Sequence, residues 1–423
     1  MHIKKFTLEN IKGIDRLEVS FKEPAGWHVF IGDNGSGKST LLQALSLALI
    51  GPTEAIALRT DFEHWIRQGA DRGIIQTSLR KHAADGYTGK GATPQSIRAG
   101  LEIIVGDFTN GGVRTRLQRS SNANTQRYNW STAPGWFSAG FGPFRRFTGG
   151  DQTWEKIFYS NPKAAGHLSI FGENVALTES IEWLQQLNYQ SLEGDKEATF
   201  QLAQFKRFIN DSDLLPHQTK VHSIGSKGVF LKDGAGREIG LTEMSDGFRS
   251  VLSLTFELLR QLIFVYGARD VFAPLETGRI EIQQPGVVLI DEVDVHLHPT
   301  WQVRIGDWFL QRFPNIQFIV TTHSPLICRA AKSGSIWRLS APGSPKPNGQ
   351  VTGTALQRLI YGDILDAYGT ELFGEDTTSS DQATALREEL ARLNRKALRG
   401  MLEKSERSRI QEIRSIIPTE EVL

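Results

Sequence analysis

Nine consecutive residues, Gly32-Asp33-Asn34-Gly35-Ser36-Gly37-Lys38-Ser39-Thr40, restrict what this chain can fold into more than any other feature. They fit the pattern G-x-x-x-x-G-K-[ST] in full. The apolar run Trp27–Ile31 precedes them, and Leu41, Leu42, Ala44, Leu45, Leu47, Ala48 and Leu49 follow at helical spacing. Strand, glycine loop and helix in that order form the setting a phosphate-binding loop requires. The glycines let the backbone wrap tightly with its N–H groups turned inward, and the positive end of the following helix strengthens that anion site. Lys38 is placed to reach the β- and γ-phosphates of a nucleotide, and Ser39 to offer its hydroxyl to Mg²⁺. A merely flexible Gly/Ser turn would not need the strand before it or the helix after it.

Three further segments carry chemistry. Val287-Val288-Leu289-Ile290 is an apolar strand that delivers Asp291 and Glu292 at its C-terminal end, where ligands bind in open α/β sheets. Asp291 suits Mg²⁺, directly or through water, and Glu292 suits a general base acting on the attacking water. Phe318-Ile319-Val320 leads into Thr321-Thr322-His323-Ser324-Pro325, which sets His323 where it could sense a γ-phosphate. A lone histidine after a strand is also a common cap or surface residue. Met244-Ser245-Asp246-Gly247-Phe248 opens a strongly apolar helix with a Ser-x-Gly turn. An ordinary N-cap accounts for Ser245 or Asp246 equally well.

Periodicity organises the rest. Ile3–Phe21 alternates as two strands around Gly13, and 73–240 holds strand-like runs at Gly73–Leu79, Leu101–Phe108, Val113–Arg119 and Gly135–Phe144. Aromatics are dense there: Tyr128, Trp130, Trp136, Phe137, Phe141, Phe144, Phe147 and Trp154. Helical patterns follow at Glu179–Leu187 and Lys196–Ile209, then a hairpin around Asp233-Gly234-Ala235-Gly236, and an apolar helix at Phe248–Tyr266. Beyond the polar loop Pro342–Gly349 the chain turns helical and charged, notably at Ala383–Leu398 and Glu403–Ile417. The net charge of +1, from 48 basic and 47 acidic residues, lacks the basic excess of a bulk nucleic-acid coat. With Cys328 alone, no intrachain disulfide or cysteine-only metal site can form. No apolar stretch is long enough to span a bilayer, and Met1–Phe6 has no signal-peptide core, so a soluble cytoplasmic protein is expected.

Taken together, the four segments in this order resemble the ABC-type ATPase head of SMC, RecF and OLD-like proteins. Asp33-Asn34-Gly35 also looks like the phosphate loop of that branch. The resemblance implies an α/β fold, an ABC-type P-loop ATPase head with a mixed β-sheet, an aromatic-rich α+β insertion (lobe II) and a helical C-terminal tail. The corresponding parts are 1–80, the N-terminal part of lobe I; 81–240, the insertion; 241–341, the signature, Asp-Glu and histidine part; and 342–423, the tail. ATP and Mg²⁺ are the implied cofactors, with Ser39 and Asp291 as metal ligands and Lys38, Glu292 and His323 acting in cis. In that family the Ser-x-Gly turn caps the γ-phosphate held by a second subunit. Ser245, Asp246 and Gly247 would therefore act in trans, in a dimer or larger homo-oligomer that sandwiches ATP.

Asp291-Glu292-Val293-Asp294-Val295-His296-Leu297-His298-Pro299 looks like the form found in RecF/OLD-like ATPases, and Gly140-Phe141-Gly142-Pro143-Phe144-Arg145-Arg146 resembles another segment of that group. The insertion lacks the heptads of an SMC arm. The hundred or so residues after His323, with Glu371, Glu375 and Asp376, make no Toprim pattern. The expectation is a stand-alone ATPase of the kind found beside a nuclease in Septu or retron-linked anti-phage systems, regulating that separately encoded effector. Its tail would dock the partner or a protomer, or simply close the core. A RecF-like DNA-binding repair protein and a slow, nucleotide-stabilised scaffold are the alternatives. Arg67 resembles an arginine that reaches nucleotide or DNA in such heads. Arg114, Arg116 and Arg119 present either a DNA-facing ribbon or a solvated strand face. Gln76 and Gln152 are the candidates for the glutamine loop. Asp294, His296 and His298 are too few ligands for a closed zinc site.

Overall fold

The computed structural model describes the chain except for 59–61, 63, 87–93, 109–111, 120–122, 131–134, 146–161, 173–177, 217, 345–346, 363–380, 399–402 and 417–423. Gln152, Glu371, Glu375, Asp376, Phe147 and Trp154 fall outside the described residues. Two compact units emerge, Met1–Tyr361 and Gly362–Leu423.

The first unit starts with strands β1 (His2–Ile11) and β2 (Ile14–Ser20), then β3 (Gly26–Ile31), helix α1 (Lys38–Ile50) and strands β4 (Arg72–Arg80), β5 (Ser96–Phe108) and β6 (Gly112–Arg119). β1, β2, β4, β5 and β6 form an antiparallel sheet in the order β2-β1-β4-β5-β6. Its alternation sends Phe6, Leu8, Ile75, Leu79, Leu101 and Ile103 to one buried face. Strand β7 (Phe137–Phe141) belongs elsewhere. It joins β11 (Gly286–Ile290), β12 (Ile316–Thr321), β13 (Gly334–Arg338) and β3 in a sheet ordered β14-β13-β3-β12-β11-β7, parallel except for the edge strand β14 (Gly349–Gln350). β3, β11 and β12 are buried along their whole length, as expected for parallel strands covered on both faces.

Helix α1 lies between the two sheets, and this explains a sequence that is apolar on nearly every side. Leu41, Leu42, Leu45, Leu47, Leu49 and Ile50 are all fully buried in one core with residues of both sheets. The aromatics of the middle stretch close that core. Tyr128, Trp130, Trp136, Phe137 and Phe141 are buried, and the Trp130 indole donates to the Ala48 carbonyl at 2.9 Å. Phe144 stays 44% exposed. The stretch 81–240 is thus shared out: β5 and β6 extend the first sheet and β7 extends the second. The remainder, helices α2 (Glu179–Leu192) and α3 (Lys196–Asp211) with the small sheet of β8 (Lys220–Gly225), β9 (Gly228–Lys232) and β10 (Glu238–Gly240), is a separate α+β layer.

Helix α4 (Asp246–Tyr266) buries its apolar side, and Gly267 turns the chain into α5 (Ala268–Glu276). Helix α6 (Pro299–Arg312) links β11 to β12, and α7 (Gly353–Tyr361) ends the first unit. Cys328 is buried. The second unit contains α8 (Asp381–Leu398) and α9 (Lys404–Ile416), which share a small core of Leu390, Leu393, Ile410 and Ile413. Among the described residues no single helix is long and apolar enough to cross a membrane.

Candidate functional site

The register of the parallel sheet creates the site. Ile290 lies opposite Phe141 on one side and Val320 on the other, and Thr321 lies opposite Phe30. Four strands therefore end at one edge, and the loops after β3, β7, β11 and β12 open there together, where parallel sheets bind ligands.

The loop after β3 is tightly built. A Cβ on Gly32 would sit 2.3 Å from the Leu339 carbonyl, so only glycine lets β13 close on the loop. Gly37 caps α1 in the left-handed region at φ 93°. Lys38 folds back, its Nζ donating to the carbonyls of Gly32 at 2.7 Å and Asp33 at 3.0 Å. Burial lowers the Lys38 pKa, opposed by the charges of Glu292, Asp291, Asp33 and Asp294. Those four carboxylates are near enough to act on one ammonium. Ser36 Oγ is buried with no hydrogen-bond partner, an arrangement that calls for an external ligand. Asp33, Asn34, Gly35 and Ser39 are exposed, so the outer face of the loop and the Ser39 hydroxyl are open. Thr40 is half-buried in the first turn of α1.

On the facing loop, Asp291 is buried and Glu292 is half-buried. Glu292 adopts φ 45°, an uncommon conformation for a residue with a Cβ and one that concentrates at functional sites. Both of its peptide groups are held. Its N–H donates to Thr321 Oγ1 at 2.8 Å, and its carbonyl accepts from Arg145 Nη2 at 3.0 Å. Thr321 Oγ1 in turn donates to Asp291 Oδ1 at 2.5 Å. Thr322 Oγ1 donates to Asp294 Oδ1 at 2.5 Å. These two threonines and Arg145 were given no role from sequence, because their partners come from neighbouring strands. The signals available were the hydroxyls that close an apolar strand and, for Arg145, its place in the Gly140–Arg146 segment.

His323 is exposed at the end of β12. Ser245 stands at the N-cap position of α4, exposed and with no side-chain capping bond. Asp246 pairs with Arg249 on the same helix. A Cβ on Gly247 would meet the His296 carbonyl at 2.6 Å, so this turn packs closely against the loop beyond Glu292. His296 is exposed at φ 63°, and His298 Nδ1 caps α6 by accepting from the Thr300 N–H at 3.3 Å. Arg67 donates to the Gly13 carbonyl at 3.2 Å, in the β1–β2 turn whose Ile14 lies against Gly37. Gln76 is exposed in the middle of β4 rather than in a loop. Arg119 is exposed, and the side chains of Arg114 and Arg116 are outside the described part.

The residues present fit a nucleotide with its metal. An orphaned hydroxyl and a lysine bonded only to loop carbonyls face a buried aspartate, with the Ser39 hydroxyl free to complete an oxygen donor set.

One family model described as an AAA domain matches residues 5–213, and a second, described as "AAA domain, putative AbiEii toxin, Type IV TA system", matches 164–329. The Septu protein PtuA of Bacillus mycoides (strain KBAB4) is 25% identical over 346 residues, covering 79% of this chain and 40% of that protein. The Retron Ec83 probable ATPase of Escherichia coli is 32% identical over 159 residues, 34% of this chain and 27% of that protein. The chain thus spans less than half the length of either relative. Among solved structures, an SMC head bound to the C-terminal winged-helix domain of ScpA superposes with a TM-score of 0.48 at 15% identity, covering 83% of this chain and 97% of that one.

Proposed function

We propose that the chain is an ABC-type P-loop ATPase of the SMC/Rad50-like kind, which hydrolyses ATP to ADP and phosphate at a site shared between two copies of itself; the AAA-domain matches and the ATPase relatives support this reading. The observation that carries this reading is the placement of Glu292, clamped at φ 45° beside Asp291 and within electrostatic reach of Lys38. Lys38 and the loop N–H groups hold the β- and γ-phosphates, with Ser36 Oγ gaining the partner it lacks. Ser39 and Asp291 would hold Mg²⁺, which would supply neutralisation of charge developing on the phosphate oxygens. Glu292 takes the proton of the attacking water. His323, exposed at the same edge, contacts the γ-phosphate side. Ser245 and Gly247 from the second copy cover the γ-phosphate. Phosphate release by the wild-type protein and by Glu292→Gln tests the reading directly.

Thr321 supports the two acidic residues, and Thr321→Val tests that support at nearly constant volume. It leaves the Glu292 N–H and Asp291 Oδ1 each one partner short. Loss of one charge-assisted hydrogen bond of this type corresponds to about a tenfold fall in kcat, with KM little changed.

The kinship with Septu and retron proteins supports a role in anti-phage defence, with this ATPase governing a separately encoded effector, a nuclease. Co-expression with the neighbouring gene product checks this. The expected result is a complex that survives gel filtration and whose nuclease activity changes between ATP and ADP. Failure of the two proteins to associate in either nucleotide would remove the effector role and leave the ATPase reading intact.

A further inference from the structure

We infer that Arg145 is a positioning residue, which holds the backbone of Glu292 in its left-handed conformation and ties it to the helix that carries the Ser245–Gly247 turn. The inference deepens the ATPase reading and rests on Glu292 being the general base.

Arg145 follows β7 and is only 6% exposed. Its guanidinium joins three separate elements. Nη1 donates to the carbonyls of Gly142 at 2.8 Å and Asp291 at 2.7 Å, Nη2 to the carbonyl of Glu292 at 3.0 Å, and Nε to Ser250 Oγ at 3.2 Å. Ser250 is on α4, little more than one turn beyond Ser245. A planar fork with five donors is the one side chain that can reach all of these acceptors at once.

None of these acceptors is a carboxylate. Burying a cation against neutral groups is costly, and a merely structural link at this place would not need a charge. Burial lowers the Arg145 pKa to about 10, against the raising influence of Asp291, Asp294 and Glu292, so the group stays charged at neutral pH. The void beside it, lined by Ser250, Val251, Leu254, Val293 and Leu297 among others, measures ≈ 10 Å³. That is at the lower limit for a single water, so α4 meets the Asp291–Glu292 turn through the guanidinium itself. Two more contacts hold the same helix nearby: Gly247 packs against the His296 carbonyl of the same loop, and Phe248 lies edge-on to Trp301 of α6 at 5.7 Å. A left-handed Glu292 persists only while its surroundings over-determine it. Thr321 fixes the N–H side and Arg145 the carbonyl side.

The test compares Arg145→Lys and Ser250→Ala with the wild type in the full-length protein, by steady-state ATP turnover, and Arg145→Lys also by single turnover in a Glu292→Gln background. Lysine retains the charge and cannot span three elements, so it does not rescue. kcat should fall about ten- to a hundredfold in Arg145→Lys with KM for ATP changed by less than about twofold. Ser250→Ala, a mild change that keeps the fold, should lower kcat about three- to tenfold, again without a change in KM. In the Glu292→Gln background Arg145→Lys should cost nothing further, because it acts through the group already removed. Wild-type kcat in both single variants, a loss confined to KM, or a full additional loss in the Glu292→Gln background would overturn the inference while leaving the ATPase reading standing. A wild-type protein with no turnover would overturn that reading and this inference with it.

Discussion

A Glu292→Gln protein is expected to hydrolyse ATP about a hundred to ten thousand times more slowly than wild type while binding the nucleotide as tightly. The side chains are nearly the same size, and the carboxamide cannot accept the proton of the attacking water. What holds residue 292 in place is its peptide groups, bonded to Thr321 and Arg145, and these are untouched by the change. Residue 292 is half-buried, so stability should stay within about 0.5 kcal/mol of wild type, the ordinary range for a change that breaks no buried contact. Because the nucleotide is bound and not consumed, the ATP-held assembly should accumulate. Mass measurement with ATP and Mg²⁺ should show the dimer as the dominant species of the variant and a minor, transient one of the wild type. Wild-type turnover in the variant would remove Glu292 from the chemistry. A fall of several degrees in Tm would mean instead that the change disturbed the fold.

Much of this site was legible from sequence for a definite reason. The phosphate loop and the Asp291–Glu292 pair each sit at the end of a short, largely apolar run, and such runs mark parallel strands buried on both faces. Local chemistry and local structure coincide there. The groups that keep Glu292 in place were not legible, because strand order is not written along the chain. Thr321 serves Asp291 and Glu292 only because β12 lies beside β11, and Arg145 does so only because β7 lies on the other side. β7 itself falls in the stretch read as an insertion. Its short run Phe137–Phe141 gave no sign that it would join the sheet rather than the aromatic-rich layer. The density of aromatics in the middle stretch did not say what they pack against. Trp130 and Trp136 are buried with α1 because both sheets need cover there. Residue type left Ser245 open between cap and ligand, and in the structure its side chain makes no capping bond to α4.

Mixing two inactive proteins should restore activity, the larger of the two effects that distinguish a shared site from a self-contained one. Lys38→Ala removes the phosphate contact made by a protomer's own loop. Ser245→Arg places a bulky cation where a partner's nucleotide would be covered, at an exposed position with no capping bond to lose, so each protomer should fold normally. Alone, each variant lacks a complete site in every dimer it can form. In a mixed dimer, however, the intact Lys38 of the Ser245→Arg copy faces the intact Ser245 of the Lys38→Ala copy. One of the two sites is then whole. With random pairing of equal amounts, half of the dimers are mixed and each has one working site, so turnover should return to about a quarter of wild type, approaching about half if only complementary copies assemble. The recovered rate should rise with total protein concentration, since it depends on encounter. If Ser245 acted within its own chain, every copy in the mixture would carry one disabling change and the mixture would stay inactive. Full activity of Ser245→Arg by itself would remove the turn from the site altogether, and with it the coupling of hydrolysis to assembly.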